Sequence, residues 1–343
     1  MASPPPSIPR RVGVCLLAVA LHQAAPVSAG AQIEARSPLC AIDMGSNSFK
    51  RIVGSFENGR YLQRSFEKKT LGVGDDLSRH GRISDAKLAE IEQTLAAFAA
   101  SCAKDGATRT LAIGTAAFRE APNGARVVEI AAKLGISMEI ASEQRESELA
   151  YLVGSLGQDG YAVIDNGSRS IELVSQPAGG ESRHSVFNLG YRVAWRTFFA
   201  DTRDLGKASL AFREQLLAQA AKAPFMRGQR KLVGVEFEEM AEVLFEPAAT
   251  EGRVLPLEEL RRKLDEITAL RGPALEALQR KPDIDRALPR LVVAATLTEA
   301  FGYSALELTA RELGTGLIIE AGLRPSTPIA GSTGAASRSS PSE

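Results

Sequence analysis

The sequence has little of what several binding chemistries require. Its 343 residues carry 41 basic and 41 acidic side chains, so the formal net charge is zero. No global positive field draws nucleic acid or an anionic lipid surface, and any anion site must be local. Aromatics are only 6% of the chain, too few for a base-stacking platform. Histidine occurs three times, at His22, His80 and His184, with no sequence-local cluster to hold zinc. After one short apolar run near the N-terminus, no later stretch is long and apolar enough for a membrane-spanning helix either. Cysteine is equally scarce: Cys15, Cys40 and Cys102.

The N-terminal run has its own character. Arg10 and Arg11 precede the apolar stretch Val12–Leu21, and the small-residue patterns Val27-Ser28-Ala29 and Ala29-Gly30-Ala31 follow. Residues 1–31 are therefore expected to be a cleaved export signal, too short to span a bilayer, which sends the protein to a periplasmic or secreted location. Cleavage would leave Cys40 and Cys102, an even count in an oxidising space. They are either a structural disulfide or two buried free thiols. From Pro325 onward Ser, Thr, Gly, Ala and Pro dominate, and residues 325–343 are expected to be a disordered tail.

What is present is a repeat. Ile42-Asp43-Met44-Gly45-Ser46-Asn47-Ser48 returns as Ile164-Asp165-Asn166-Gly167-Ser168-Arg169-Ser170, each time with an apolar lead-in and a β-like exit. Each copy delivers a carboxylate from a strand to a tight turn whose amides and hydroxyls are donors suited to phosphate. A duplicated supersecondary unit implies two related domains with a cleft between them. Around each copy the pattern is hairpin, third strand, then alternating helix and strand, which gives an α/β fold with mixed sheets. In the first half, Leu71–Asp76 reads as a loop. Ser84 then caps a helix carrying Leu88, Ile91, Leu95 and Phe98, and Ser142 opens the helix bearing Glu143, Arg145, Glu146 and Glu148. In the second half, Gly190–Phe199, Leu205–Ala221, Leu257–Leu270 and Leu288–Phe301 read as helices.

With Ala41-Ile42-Asp43-Met44-Gly45-Ser46-Asn47-Ser48-Phe49, Gly114-Thr115-Ala116-Ala117-Phe118-Arg119, Glu146, the stretch from Asp165 to Glu172, Leu189-Gly190 and Arg311-Glu312 in order, the chain resembles the exopolyphosphatase and guanosine pentaphosphate phosphohydrolase family over about Leu39 to Leu323. The resemblance implies two actin-like (ribonuclease H-like) domains, at 38–157 and 158–324, with an interdomain cleft. It implies a magnesium-dependent hydrolase acting on polyphosphate or another phosphorylated small molecule, with no nucleic-acid partner; a homodimer is compatible with it. By the same resemblance Glu146 is the general base and Arg119 grips phosphate. Asp43, Asp165 and Glu172 hold or orient metal and water, while Ser46, Asn47, Ser48, Gly167 and Ser168 contact phosphates. Hard oxygen ligands suit magnesium.

Two segments depart from the family's pattern. Where relatives carry Asp-x-Gly-Gly-Gly-Ser-Thr-Glu, this chain has Asp165-Asn166-Gly167-Ser168-Arg169-Ser170-Ile171-Glu172. Arg169 either offers phosphate a forked cation or fills the space a phosphate would use, and Ser168 and Arg169 would be strained if the turn needed positive φ. Where relatives have a Gly-Ser-Gly-Thr-like turn, this chain has Gly234-Val235-Glu236-Phe237-Glu238-Glu239. Those carboxylates repel a polyanion unless metal intervenes or they turn away. Two functions stay open: a hydrolase releasing orthophosphate, or a binding or sensing protein that keeps the cleft without turnover. A sugar-kinase-like phosphotransferase is weaker, since nothing marks an adenosine pocket.

Overall fold

The computed structural model describes residues 37–324 apart from 247 and 248, so the expected signal and tail lie outside the described residues. The first half runs β1 (Leu39–Met44), β2 (Ser48–Glu57), β3 (Arg60–Thr70), α1 (Val73–His80), α2 (Asp85–Lys104), β4 (Arg109–Gly114), α3 (Ala116–Glu120), α4 (Ala125–Lys133), β5 (Ser137–Ile140) and α5 (Glu143–Ser155). Its sheet has the order β3-β2-β1-β4-β5: an antiparallel meander on one side of β1, parallel strands on the other. The second half runs β6 (Tyr161–Asn166), β7 (Ile171–Gln176), β8 (Arg183–Phe187), α6 (Tyr191–Ala194) with a π-helical turn at Trp195–Phe199, α7 (Leu205–Ala220), β9 (Lys231–Val235), α8 (Glu238–Leu244), β10 (Val254–Pro256), α9 (Leu257–Thr268), α10 (Gly272–Gln279), α11 (Ile284–Ala300), β11 (Ala305–Thr309) and α12 (Thr315–Leu323). Its sheet is β10-β11-β9-β6-β7-β8. Read from the meander side, this is the first sheet's order with β10 added at the far edge.

The repeat therefore places β1 and β6 in equivalent positions, each inside its sheet and covered on both faces. That explains their unbroken apolar lead-ins, because a strand buried on both sides has no polar face to alternate with. Cys40, Ala41, Ile42 and Met44 are fully buried, as are Ala162, Val163 and Ile164. Cys40, at the start of β1, is bridged to Cys102 near the end of α2, with Cα atoms 5.8 Å apart. The bridge lies at the opposite end of β1 from Asp43. Of the two readings left open for these thiols, the structure takes the disulfide.

α12 comes from the end of the chain but packs on the first sheet. Leu317, Ile318 and Ile319 join Ala41, Ile52, Phe56 and Leu149 in one apolar cluster. Gly322 lets it lie close, since a Cβ there would stand 2.6 Å from the Phe56 carbonyl oxygen.

Several expected elements are corrected. The loop expected at Leu71–Asp76 is largely the start of α1, entered through Gly72 at φ 64°; its flanking glycines gave it a loop-like composition. α11 begins at Ile284 rather than Leu288. Pro289, which suits the first turn of a helix, here sits inside one. β10, α8 and α10 were not expected, and α8 begins at Glu238, inside the acidic segment that stands where relatives have a turn.

Candidate active site

Both repeat turns close at the same cavity, of about 310 Å³, lined by residues of each half. The Gly45 amide donates to the Ser48 carbonyl at 3.1 Å. The carbonyls of this turn are then held by the segment entering α1: the Leu71 and Gly72 amides both donate to Asn47 O at 2.9 Å, and the Gly74 amide to Ser46 O at 2.7 Å. The second turn is held the same way at the start of α6, with Gly190 N–H to Arg169 O at 2.9 Å, Tyr191 N–H to Gly167 O at 3.0 Å and Arg192 N–H to Ser168 O at 3.1 Å. Gly190 has to be glycine for this approach, because a Cβ would lie 2.5 Å from Gly167 O and 2.6 Å from the Arg169 backbone. Neither Ser168 nor Arg169 takes a positive φ. The strain expected from losing the family's glycines is not there.

Asp43 and Asp165 are the penultimate residues of β1 and β6, and each has a cross-strand partner: Lys50 for Asp43 and Glu172 for Asp165. All four are buried. Ser46, Asn47, Ser48, Gly167, Ser168, Arg169, Glu146 and these carboxylates all line the cavity. Of the sequence-predicted residues, only Arg119 stands outside the lining. It reaches the site through Glu146, donating from Nη1 to Glu146 Oε1 at 2.5 Å and to the Ala141 carbonyl at 2.7 Å. Glu146 is held in place from below as well, since Ser142 caps α5 by accepting the Arg145 amide at 3.1 Å.

Burial sets the electrostatics. It pushes Glu146 above the ordinary carboxylate range, and the Arg119 hydrogen bond pulls it part-way back. Asp43 rises to about 7 through burial, with the Lys50 ammonium opposing. Glu172 rises to about 8 through burial and the neighbouring Glu146 charge, while the Ser170 hydroxyl donates to it at 2.5 Å and opposes the rise. Asp165 is pushed well up by burial, then by Glu236 and Glu172. Its Oδ1 is buried with no hydrogen-bond partner among the described residues.

The acidic segment after β9 has not turned away. Glu236 takes φ 62°, in the left-handed region where glycine is at ease, so a side chain occupies a backbone position that suits glycine. Its charge is met by Lys50, 2.6 Å from Oε1, and by Arg290, 3.7 Å from Oε2. Glu239 pairs with Arg290 at 2.8 Å and Arg286 at 3.3 Å. Arg290 is 2% exposed and lies over the Tyr191 ring at 4.3 Å. Sequence reasoning missed Lys50, Arg290, Arg286 and Tyr191. A lone arginine in the apolar run of α11 was the signal available for Arg290, since an arginine that deep is paired.

Salt links join the halves at the mouth of the cavity. Arg169 Nη1 is 2.7 Å from Glu120 Oε2. Arg192 bonds Asp75 and the Asn47 side chain, both at 3.2 Å.

The family model described as the Ppx/GppA phosphatase family matches residues 58–319. The chain belongs to this family. Ppx/GppA members are phosphohydrolases acting on phosphoanhydride bonds. Among solved structures, the Ppx/GppA family member of Aquifex aeolicus superposes with a TM-score of 0.70 at 20% identity, covering 83% of this chain and 97% of that one. An exopolyphosphatase from Cytophaga hutchinsonii gives 0.66 at 18%, covering 83% and 98%. These likenesses show the fold, the expected actin-like α/β architecture with mixed sheets. The first Asp-x-Gly-Ser turn lies ahead of the matched Ppx/GppA span, and its place in the site rests on the geometry above.

The family is generally divalent-metal dependent. The residues present fit such an ion. Asp165 and Glu172 are adjacent hard-oxygen donors, deeply buried, with one oxygen left without a partner.

Proposed function

We propose that the protein is an exported, magnesium-dependent phosphohydrolase of the exopolyphosphatase type, releasing terminal orthophosphate from polyphosphate or a related phosphoanhydride. One observation carries this reading: a buried carboxylate, Glu146, is fixed by Arg119 in the same cavity as both phosphate turns and the Asp165–Glu172 pair. In this reading Ser46, Asn47, Ser48, Gly167 and Ser168 bind the terminal phosphates. Glu146 accepts a proton from the attacking water as its oxygen bonds to phosphorus and the anhydride P–O bond breaks. Arg119 orients that carboxylate and favours its ionised form. Asp165 and Glu172, with Asp43 nearby, would hold magnesium, which supplies positive charge against the phosphate oxygens. Export is supported by the N-terminal sequence pattern and by the Cys40–Cys102 bridge, a feature of oxidising compartments. Among the described residues no helix is long and apolar enough to cross a membrane.

The salt link between Arg169 and Glu120 favours a second reading, a periplasmic phosphate-ester binding or sensing protein without turnover, since it ties the altered turn to the opposite half. One experiment separates the two. Phosphate release from short polyphosphates is measured with and without magnesium, in wild type and Glu146→Ala, alongside calorimetric binding. Hydrolysis that needs magnesium and falls by roughly 10²–10⁴-fold in the variant, with unchanged melting, is the expected result. Binding without release selects the sensor, and equal release by both proteins removes Glu146 from its role.

A further inference from the structure

The two turns descend from one repeat, and one position sets their chemistry apart. In the second copy Asp165 faces Glu172 across the β6–β7 ladder. In the first copy the equivalent position is a lysine: Asp43 faces Lys50 across β1–β2. The spacing along the chain is the same in both pairs, so a carboxylate of one copy corresponds to an ammonium of the other.

That ammonium has a defined place. Lys50 is 8% exposed, and its Nζ lies 2.6 Å from Glu236 Oε1, 3.9 Å from Asp43 Oδ2 and in direct hydrogen-bond contact with Glu312 Oε2. The three carboxylates arrive from separate strands, Asp43 near the end of β1, Glu236 just after β9 and Glu312 after β11. Each places an oxygen within 4.8 Å of the others, the kind of hard-oxygen set that a divalent ion also takes.

We propose that Lys50 is the resident cation of this carboxylate nest. It stands where a second divalent ion would otherwise bind, so the protein takes metal at the Asp165–Glu172 pair and neutralises Asp43, Glu236 and Glu312 with its own side chain. The inference rests on the proposed metal locus of the second copy and adds a division of labour between the copies. Its physical basis is the cost of leaving buried carboxylates uncompensated. A lysine meets that cost with a charge that does not dissociate with product. Removing the lysine leaves one buried and two half-buried carboxylates whose repulsion is relieved by taking up a cation.

The test counts Mn²⁺, used as a spectroscopic stand-in for magnesium, on the purified full chain by equilibrium dialysis and electron paramagnetic resonance. Wild type is expected to bind a single tight ion that Glu172→Gln removes. Glu312→Gln is expected to leave that count unchanged, and Lys50→Met to bind a second ion. Loss of the ion in Glu312→Gln overturns the proposal, because the nest would then hold metal despite its lysine. A folded Lys50→Met with no additional ion overturns it as well. Should Lys50→Met fail to fold, the Glu312→Gln count decides alone: unchanged supports the role of Lys50, lost refutes it. If wild type binds no Mn²⁺ while Lys50→Met binds one, the metal reading of Asp165–Glu172 fails and the role of Lys50 stands.

Discussion

In the proposed mechanism Arg119 holds the base, Glu146, by a direct salt link. Burial raises the Glu146 carboxyl, and Arg119 is what lowers it again, by hydrogen bond and by charge. A general base works in its ionised form, so activity rises as pH passes upward through the Glu146 value. Taking away Arg119 leaves burial unopposed and moves that value further up. Arg119→Leu is therefore expected to shift the acid limb of the kcat/KM profile to higher pH; an unmoved limb would detach Arg119 from the base. Most of this geometry was legible in the sequence, because the repeat and the Gly114–Arg119 and Ser142–Glu148 stretches carry the two turns, Glu146 and Arg119 that the structure brings together. Lys50 was not. A lysine shortly after a Gly-Ser turn looks like the solvent side of a strand. Only the nearly complete burial of β2, from Ser48 to Phe56, or the correspondence with Glu172 across the repeat, marks it as interior.

At the scale of elements, the Cys40–Cys102 bridge fastens α2 to the end of β1 away from the phosphate turn. It spans 62 residues of sequence, and loop-closure arithmetic gives such a link about 4 kcal/mol. Both sulfurs are buried among Ile91, Leu95 and Phe98, so replacing both by alanine leaves only small voids. The double variant Cys40→Ala/Cys102→Ala is expected to melt roughly 10 °C lower while keeping wild-type phosphate release per folded molecule at low temperature. Lost activity in the still-folded variant would mean the bridge positions the turn as well as stabilising the sheet. Two of the elements that sequence failed to place share a cause. α1 and α8 are short and begin in glycine- or glutamate-rich turns, and their apolar contacts come from distant segments, so local pattern could not separate them from loops. The hairpins and long helices, whose periodicity is local, were legible with ends shifted by a few residues.

The whole molecule is neutral, yet its cavity is not. Nine carboxylates and five basic side chains line it, and burial already pushes Asp43, Glu172 and Glu238 up to about 7, 8 and 8. Near neutral pH, without metal, protons share the work of neutralising these acids with Lys50, Arg286 and Arg290. A polyphosphate entering such a space meets like charge, and the donors of two turns are weak compensation for phosphates desolvated beside ionised carboxylates. A divalent ion held by Asp165 and Glu172, as proposed above, would reverse that balance by displacing protons and presenting positive charge to phosphate oxygens. Metal should thus control binding as well as turnover. Tripolyphosphate titrated into Glu146→Ala, which keeps the cavity but removes the base, is expected to give a calorimetric isotherm in magnesium and none in EDTA. Binding of equal strength in EDTA would show that the turns and Arg169 hold the chain unaided, and would move the site's anion recognition from the metal to the rim.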